Sequence, residues 1–198
     1  MNDFNYSLFL LINASAHPNM ALVWAAKLLA DYTIWLIPLF LAIAWLRGTE
    51  QARKIMLEAT ASGVAGLLVN QAIGLVWQHP RPFMIGMGHT FLPHVADSSF
   101  PSDHLTLLWA VACSFLLHPR SRAAGVVLAL LGLPIAWARI YLGVHFPLDM
   151  AGAAAVAALS AWVCWRENRW YLERTYRWVI AIYHRLFSTL IRRGWALK

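Results

Sequence analysis

Charge is scarce in this chain, and negative charge most of all. Only 13% of its 198 residues are Asp, Glu, Lys or Arg, and nine acidic side chains face sixteen basic ones. A soluble domain carries about 25% charged residues. Lysine is rarer still, with none between Lys54 and Lys198. The two cysteines, Cys113 and Cys164, sit inside apolar runs. They read as packing residues and carry no information on redox compartment. The opening "MNDFNYSLFLLINASA" has Asp3 where a positive n-region belongs, so no cleavable signal peptide is predicted. No internal repeat and no linker breaks the chain, and the length prior is one domain.

What the chain has instead is apolar sequence, 60% of all residues. It is gathered in long runs, which predicts an all-α, polytopic membrane helix bundle. Five spans are expected: near Leu29–Leu46, then Ile55–Trp77, Leu105–Leu117, Ala123–Val144 and Leu148–Trp165. Crossing the hydrocarbon takes about 20 residues, so the third and fifth are short and should begin with polar turns facing a cavity. Phe4–Leu28 holds interfacial helices or a sixth span, with a break at Pro18 and Asn19. Runs such as "AGAAAVAALSA" suit close helix packing in a bilayer. Glu58 is expected to snorkel or pair near one end of the second span.

The net charge of +7 would suit nucleic acid, but its placement does not. Half of the Lys and Arg residues fall in 166–198, interleaved with Trp, Tyr, Phe and Leu. That pattern predicts a basic amphipathic tail on the membrane surface, with Trp170, Trp178 and Trp195 as interfacial anchors, and no nucleic-acid partner. The expected division is therefore 1–165, membrane-embedded, and 166–198, tail. Arg47, Arg53, Lys54, Arg120, Arg122 and the tail all lie on one side of a five-span arrangement, which the positive-inside rule makes cytoplasmic. Lys27 is a minor exception. The opposite, outer face receives "HPRP", "SFPSDH" and "RIYLGVHFPLD", together with His79, His89, His94, His104 and His145.

These three clusters carry chemistry only in combination. In "SFPSDH", Ser98 or Ser99 can cap a helix with Pro101 in its first turn. The N–H groups of that turn form an anion site, with Ser102 adding a hydroxyl and His104 a group titrating near neutrality. Alone, the stretch reads equally as an ordinary capped helix. His145 and Asp149 are four apart, so a carboxylate can fix the imidazole tautomer and leave the other nitrogen free as nucleophile or base. Alone, Asp149 could be an interfacial ion-pair partner. Arg81, between two prolines, presents a planar fork suited to phosphate oxygens, or to a lipid headgroup. Arg139 returns over the same region. One topology puts all of them on one face. Two arginines, a helix N-terminus, a hydroxyl and two histidines are the inventory for phosphoryl transfer without a metal. A membrane-boundary pocket suggests a phosphate head on a lipid tail. His89, His94 and Asp97 match no strong metal-ligand spacing.

The order Arg-Pro, Pro-Ser-x-His, Arg-x5-His-x3-Asp resembles the three signature motifs of the type 2 phosphatidic acid phosphatase superfamily. The likeness is close over Asn70 to Asp149 and extends to the whole chain in span pattern. "NQAIGLVWQHPRPF", "FLPHVADSSFPSDH" and "ARIYLGVHFPLDMAG" look most like bacterial undecaprenyl-diphosphate phosphatases of the bacitracin-resistance type. The resemblance implies a multi-pass protein of the bacterial cytoplasmic membrane, its site on the outer face, recycling the polyprenyl carrier of cell-wall synthesis. It implies His145 as the nucleophile forming a phosphohistidine and Asp149 as its orienting partner. His104 would protonate the leaving oxygen and then activate water. Arg81, Arg139 and Ser102 would hold phosphoryl oxygens, helped by backbone N–H groups near Asp103. It implies a polyprenyl diphosphate lipid substrate, with no cofactor and no catalytic metal.

Three positions depart from the family pattern. Gly74 stands where the family has a lysine seven residues before the first-motif arginine. Asp103 replaces a glycine, and Ala138 a serine. Asn70, Gln71, Gln78 and His79 are the polar residues near the missing lysine. Competing readings are a phosphotransferase with a lipid acceptor, a phosphatase for phosphatidylglycerol phosphate or another lipid phosphate, and a non-enzymatic, His-rich metal transporter. The few polar groups of the fourth and fifth spans away from their outer ends disfavour the last.

Overall fold

The computed structural model describes residues 2–195 and Leu197; Lys198, counted in the basic tail, lies outside them. The long helix α4 (Glu50–Val76) shows how the sequence builds the bundle. Thr49 caps it, accepting from Ala52 N at 3.4 Å, and Glu50 sits in its positive first turn. Its 27 residues span about 40 Å at 1.5 Å each, enough to cross a bilayer. Along one face Ser62, Gly63, Gly66 and Asn70 are buried. A Cβ built at Gly66 would lie 2.8 Å from Thr106 Cγ2, so only glycine lets α5 (Asp103–Leu116) approach this closely.

Helix α5 is the central element, packed against α4, α6 (Arg122–Tyr141) and α7 (Pro147–Arg166). Its 14 residues reach only about 21 Å, so the expected third span is a shorter apolar helix and not one long enough to cross a membrane. The fifth span is not short: α7 has 20 residues, because Pro147 starts it one residue early and it runs on through Arg166. The first span starts earlier than expected, at Met20. Helices α2 (Met20–Lys27) and α3 (Leu36–Arg47) join through a π-helical stretch, Leu28–Tyr32, and a 3-10 turn, Thr33–Trp35, into one 28-residue apolar segment. The expected break precedes it. Asn19 caps α2, its side chain accepting from Ala21 N and Leu22 N.

Four segments are long and apolar enough to cross a membrane: Met20–Arg47, α4, α6 and α7. With the shorter α5 they form a polytopic helical bundle. Helix α1 (Asn2–Ile12) is too short to be a sixth span. It packs instead where α7 starts: Tyr6 and Phe9 meet the ring of Phe146 and Asn5 Oδ1 accepts from Leu148 N.

The basic connections meet at the other end. Arg120 bonds Gln51, and Lys54 pairs with Glu173 of α8 (Asn168–Leu186). Arg53 donates to Trp45 O, Tyr183 Oη and Leu197 O. Glu58 is fully buried and paired, with His118 Nε2 at 2.7 Å and Asn168 Nδ2 at 3.0 Å. Helix α8 exposes Trp170, Trp178, Ile182 and Leu186, and a short α9 (Ser188–Arg192) follows.

Candidate active site

At one end of the bundle the chain reversals that carry the motifs come together. Helix α7 starts with Phe146 as N-cap residue, and Asp149, at its third position, reaches back to accept from Phe146 N at 2.8 Å. This local capping places the carboxylate beside His145 in the preceding turn. Asp149 Oδ2 lies 3.1 Å from His145 Nδ1 and accepts from Ser99 Oγ as well. Three donors therefore converge on one oxygen. With Nδ1 carrying its proton toward Asp149, the Nε2 lone pair of His145 is free.

That nitrogen faces two guanidinium groups. Arg81 Nη1 stands 3.1 Å from His145 Nε2 and Arg139 Nη2 stands 3.3 Å from it. Arg81 is extended between its prolines (φ −72, ψ 158) and 4% exposed. Its other donors reach Val144 O at 2.9 Å, Asp97 Oδ1 at 2.8 Å and Ser98 O at 3.3 Å. Arg139, in the last turn of α6, donates to Ala30 O in the π-helical stretch at 3.1 Å, while its Nε is buried with no hydrogen-bond partner among the described residues. Burial first, then Arg139 and Arg81, with smaller effects of His94 and His104, holds the His145 pKa well below the ordinary 6.5. The imidazole is neutral at neutral pH.

The helix start predicted for "SFPSDH", capped by Ser98 or Ser99, is corrected by three or four residues. Helix α5 begins at Asp103 with Ser102 at the N-cap position, so Pro101 precedes the helix instead of opening it. Ser98 accepts from His79 N, and Ser99 serves Asp149. Serines 98, 99 and 102 are equivalent as cap chemistry, and only the contact with Asp149, 50 residues away, separates them. Ser102 Oγ makes no cap bond; it is fully buried and has no hydrogen-bond partner among the described residues. His104, in the first turn of α5, is half-buried beside Thr33, Ile34 and Leu108. Its influence on His145 is electrostatic, with no hydrogen bond between them. The Asp103 carboxylate is turned to α4, accepting from Asn70 Nδ2 at 2.8 Å and Gln71 Nε2 at 3.3 Å. Asn70 also donates to Thr106 Oγ1, a second bond from α4 to α5.

Two further residues reach the cluster without a signature in the sequence. His94 Nε2 lies 3.2 Å from Arg139 Nη2, and Asp97 pairs with Arg81. Their loop rests on the turn before His145. Phe91 N donates to Leu142 O at 3.0 Å, and Gly143, at φ +80, allows His89 O within 2.2 Å of where a Cβ would sit. Asn13 ties the same loop down from below, donating to His89 O and Tyr141 O. Among the described residues no three His, Cys, Asp or Glu side chains gather as a metal-ligand set.

Beside the cluster a cavity of about 680 Å³ opens at the C-terminal end of α4. Asn70, Gln71, Gln78, His79, Asp97 and Asp103 line it, and neither His145 nor Arg139 does. Gly74 is part of this wall, so the position of the family lysine is open space between polar, uncharged and acidic groups.

Residues 55–172 match the family model described as "PAP2 superfamily". The chain is 36% identical to "Putative undecaprenyl-diphosphatase YbjG" of Escherichia coli (strain K12), across 98% of each chain. It is 35% identical to "Undecaprenyl-diphosphatase BcrC" of Bacillus subtilis (strain 168), across 96% of each. Among solved structures, Aquifex aeolicus LpxE superposes with a TM-score of 0.64 at 23% identity, covering 82% of this chain and 95% of that one. A PAP2-type phosphatidylglycerolphosphate phosphatase from Bacillus subtilis gives 0.58 at 18% identity, covering 83% of each. Both share the fold.

Proposed function

Because this chain belongs to the PAP2 superfamily, we propose that it hydrolyses undecaprenyl diphosphate to undecaprenyl phosphate and inorganic phosphate. It is a multi-pass membrane protein and a lipid phosphate phosphatase. The choice of substrate follows the relatives named undecaprenyl-diphosphatase. The observation that carries the chemistry is His145, its Nδ1 held by Asp149 and its Nε2 facing the donors of Arg81 and Arg139.

His145 Nε2 attacks the terminal phosphorus, and the bond from that phosphorus to the bridging oxygen breaks. His104 gives its proton to the bridging oxygen, which leaves on undecaprenyl phosphate. Water then attacks the phosphohistidine, His104 takes a proton from it, and inorganic phosphate departs. Arg81 and Arg139 neutralise the equatorial oxygens. Ser102 Oγ and Arg139 Nε, both buried and unpartnered, are further donors for them, with the backbone N–H of Asp103 at the helix start. The Asp103 side chain serves α4 and holds that start in place. Residues 1–165 form the phosphatase domain and 166–198 a tail on the cytoplasmic surface, with the site on the outer face of the bacterial cytoplasmic membrane.

Purified protein in detergent should release phosphate from undecaprenyl diphosphate, with a slower response to phosphatidylglycerol phosphate. The His145→Ala variant should lose roughly four to six orders of magnitude in kcat, by analogy with removal of other covalent nucleophiles. Near-normal turnover by that variant would exclude a phosphohistidine.

A further inference from the structure

The two arginines at His145 are not held alike. Arg81 gives Nε, Nη1 and Nη2 to Asp97 Oδ1, Val144 O and Ser98 O, so its plane is fixed without help from the nucleophile. Arg139 has fewer supports. Its Nη1 donates to Ala30 O, and its Nε has no hydrogen-bond partner among the described residues. Its Nη2 lies between two histidines, 3.2 Å from His94 Nε2 and 3.3 Å from His145 Nε2. A single carbonyl leaves a guanidinium free to swing about that one bond. His94 is the second point, and two points fix the plane.

His94 belongs to no signature motif and takes no part in the steps above. A guanidinium only donates, so the contact needs a lone pair on His94 Nε2 and the proton on Nδ1, which lies 3.3 Å from Val95 O. The titratable and charged groups around the ring are Arg81, Arg139 of α6, His104 of α5, His145 and, on its own loop, Asp97. Burial first, then Arg81, holds the His94 pKa below the ordinary 6.5, which leaves the ring neutral and able to accept at neutral pH. The ring is itself set in place. Its loop bonds to the turn before His145 through Phe91 N and Leu142 O, and it stands edge-on to the His145 ring with centroids 6.2 Å apart.

Nη2 of Arg139 carries two hydrogens. With one engaged by His94, the other is aimed at His145 Nε2, where the phosphorus arrives. We propose that His94 is a positioning residue, its neutral Nε2 accepting from Arg139 and so holding the guanidinium against the phosphoryl group as it is transferred to His145. The contact is made to the arginine and not to the substrate, so it serves monophosphates and diphosphates alike. This inference rests on the proposed phosphohistidine reaction.

The test uses the full chain in detergent and three variants, His94→Gln, His94→Ala and His94→Lys. Glutamine keeps a neutral acceptor at about the reach of Nε2, alanine removes it, and lysine replaces it with a donor-only cation. The readouts are kcat/KM for phosphate release from undecaprenyl diphosphate, calorimetric affinity for orthovanadate as a phosphoryl analogue, and the thermal midpoint. His94→Ala and His94→Lys should each lose about tenfold or more in both kcat/KM and orthovanadate affinity, and His94→Gln should stay within about threefold of the wild type. Equal losses in the glutamine and alanine variants, a lysine variant as good as the glutamine one, no loss in any, or a wild type that binds no orthovanadate would each overturn the positioning role. So would losses that follow the thermal midpoint instead of the acceptor. A wild type that releases no phosphate, with the orthovanadate affinities ordered as expected, sinks the proposed reaction and leaves the positioning role standing. Phosphate release without that order sinks the positioning role alone.

Discussion

One oxygen, Asp149 Oδ2, organises the residue scale. It gathers Phe146 N, His145 Nδ1 and Ser99 Oγ, and so decides which nitrogen of His145 is nucleophilic. Burial first, then the two arginines at Nε2, decide when it is available. Because the folded-state pKa of His145 is lowered, the imidazole stays unprotonated as pH falls through 6.5. The unfolded chain takes up that proton near 6.5, so this group also withdraws stability as pH drops below 6.5. The expected outcome is an acid limb of kcat/KM, from the nucleophile, lying below pH 6.5; a titration from pH 5 to 8 with a half-loss at or above 6.5 would contradict it. Arg81, Arg139, His145 and Asp149 were legible in the sequence as a set, because one topology carries their ordered motifs to the same face. Ser99 was not, since its partner comes from another helix. His94 was legible only as a failed metal ligand. Its histidine signal was present, but the arginine that gives it meaning lies 45 residues away.

At the scale of elements, the approach of α5 to α4 sets the depth of the site, since Ser102 and His104 ride on the α5 start. Gly63 and Gly66 permit that approach: Cβ atoms there would lie 2.7 Å from Leu107 Cδ1 and 2.8 Å from Thr106 Cγ2. Gly66→Leu should cost about 1–3 kcal/mol in thermal unfolding measured in detergent. Gly74→Ala, whose Cβ would meet Ser98 Cβ at an ordinary 3.5 Å, should be silent in the same measurement. Comparable losses from both would remove the close-packing argument. Small-residue runs announced close packing in the sequence, but not the faces that use it. The start of the first span was misplaced by nine residues because the π-helical stretch continues the segment where an α-helical pattern stops. The short α5 was legible from its length alone.

The whole molecule is polarised along its axis. Arg53, Lys54, Arg120 and α8 gather at one end and His145, Arg81 and Arg139 at the other. Charge asymmetry in the sequence carried this arrangement, because basic residues mark loops without knowledge of packing. An epitope inserted at the exposed Gly86, where a Cβ would touch nothing within 4 Å, should be reached by antibody in intact spheroplasts. An epitope joined after the tail should need permeabilised membranes. Reversed accessibility would turn the site to the cytoplasm and end any role on the outer face. The N-terminal region was the least legible part at this scale. Its helix is apolar like a span, and only its 11-residue length makes it too short to cross a bilayer.

The family match begins at residue 55, yet two supports of the site come from before it: Ala30, which receives Arg139, and Asn13, which holds the loop of His94. Chemistry and aim are thus written in different stretches of the chain. Inheritance can keep the histidines and arginines fixed while drift in the first 54 residues re-aims Arg139 or resets the loop. Grafting that leading segment from one relative onto another is a route to changing how a phosphoryl group is held without altering a reacting atom.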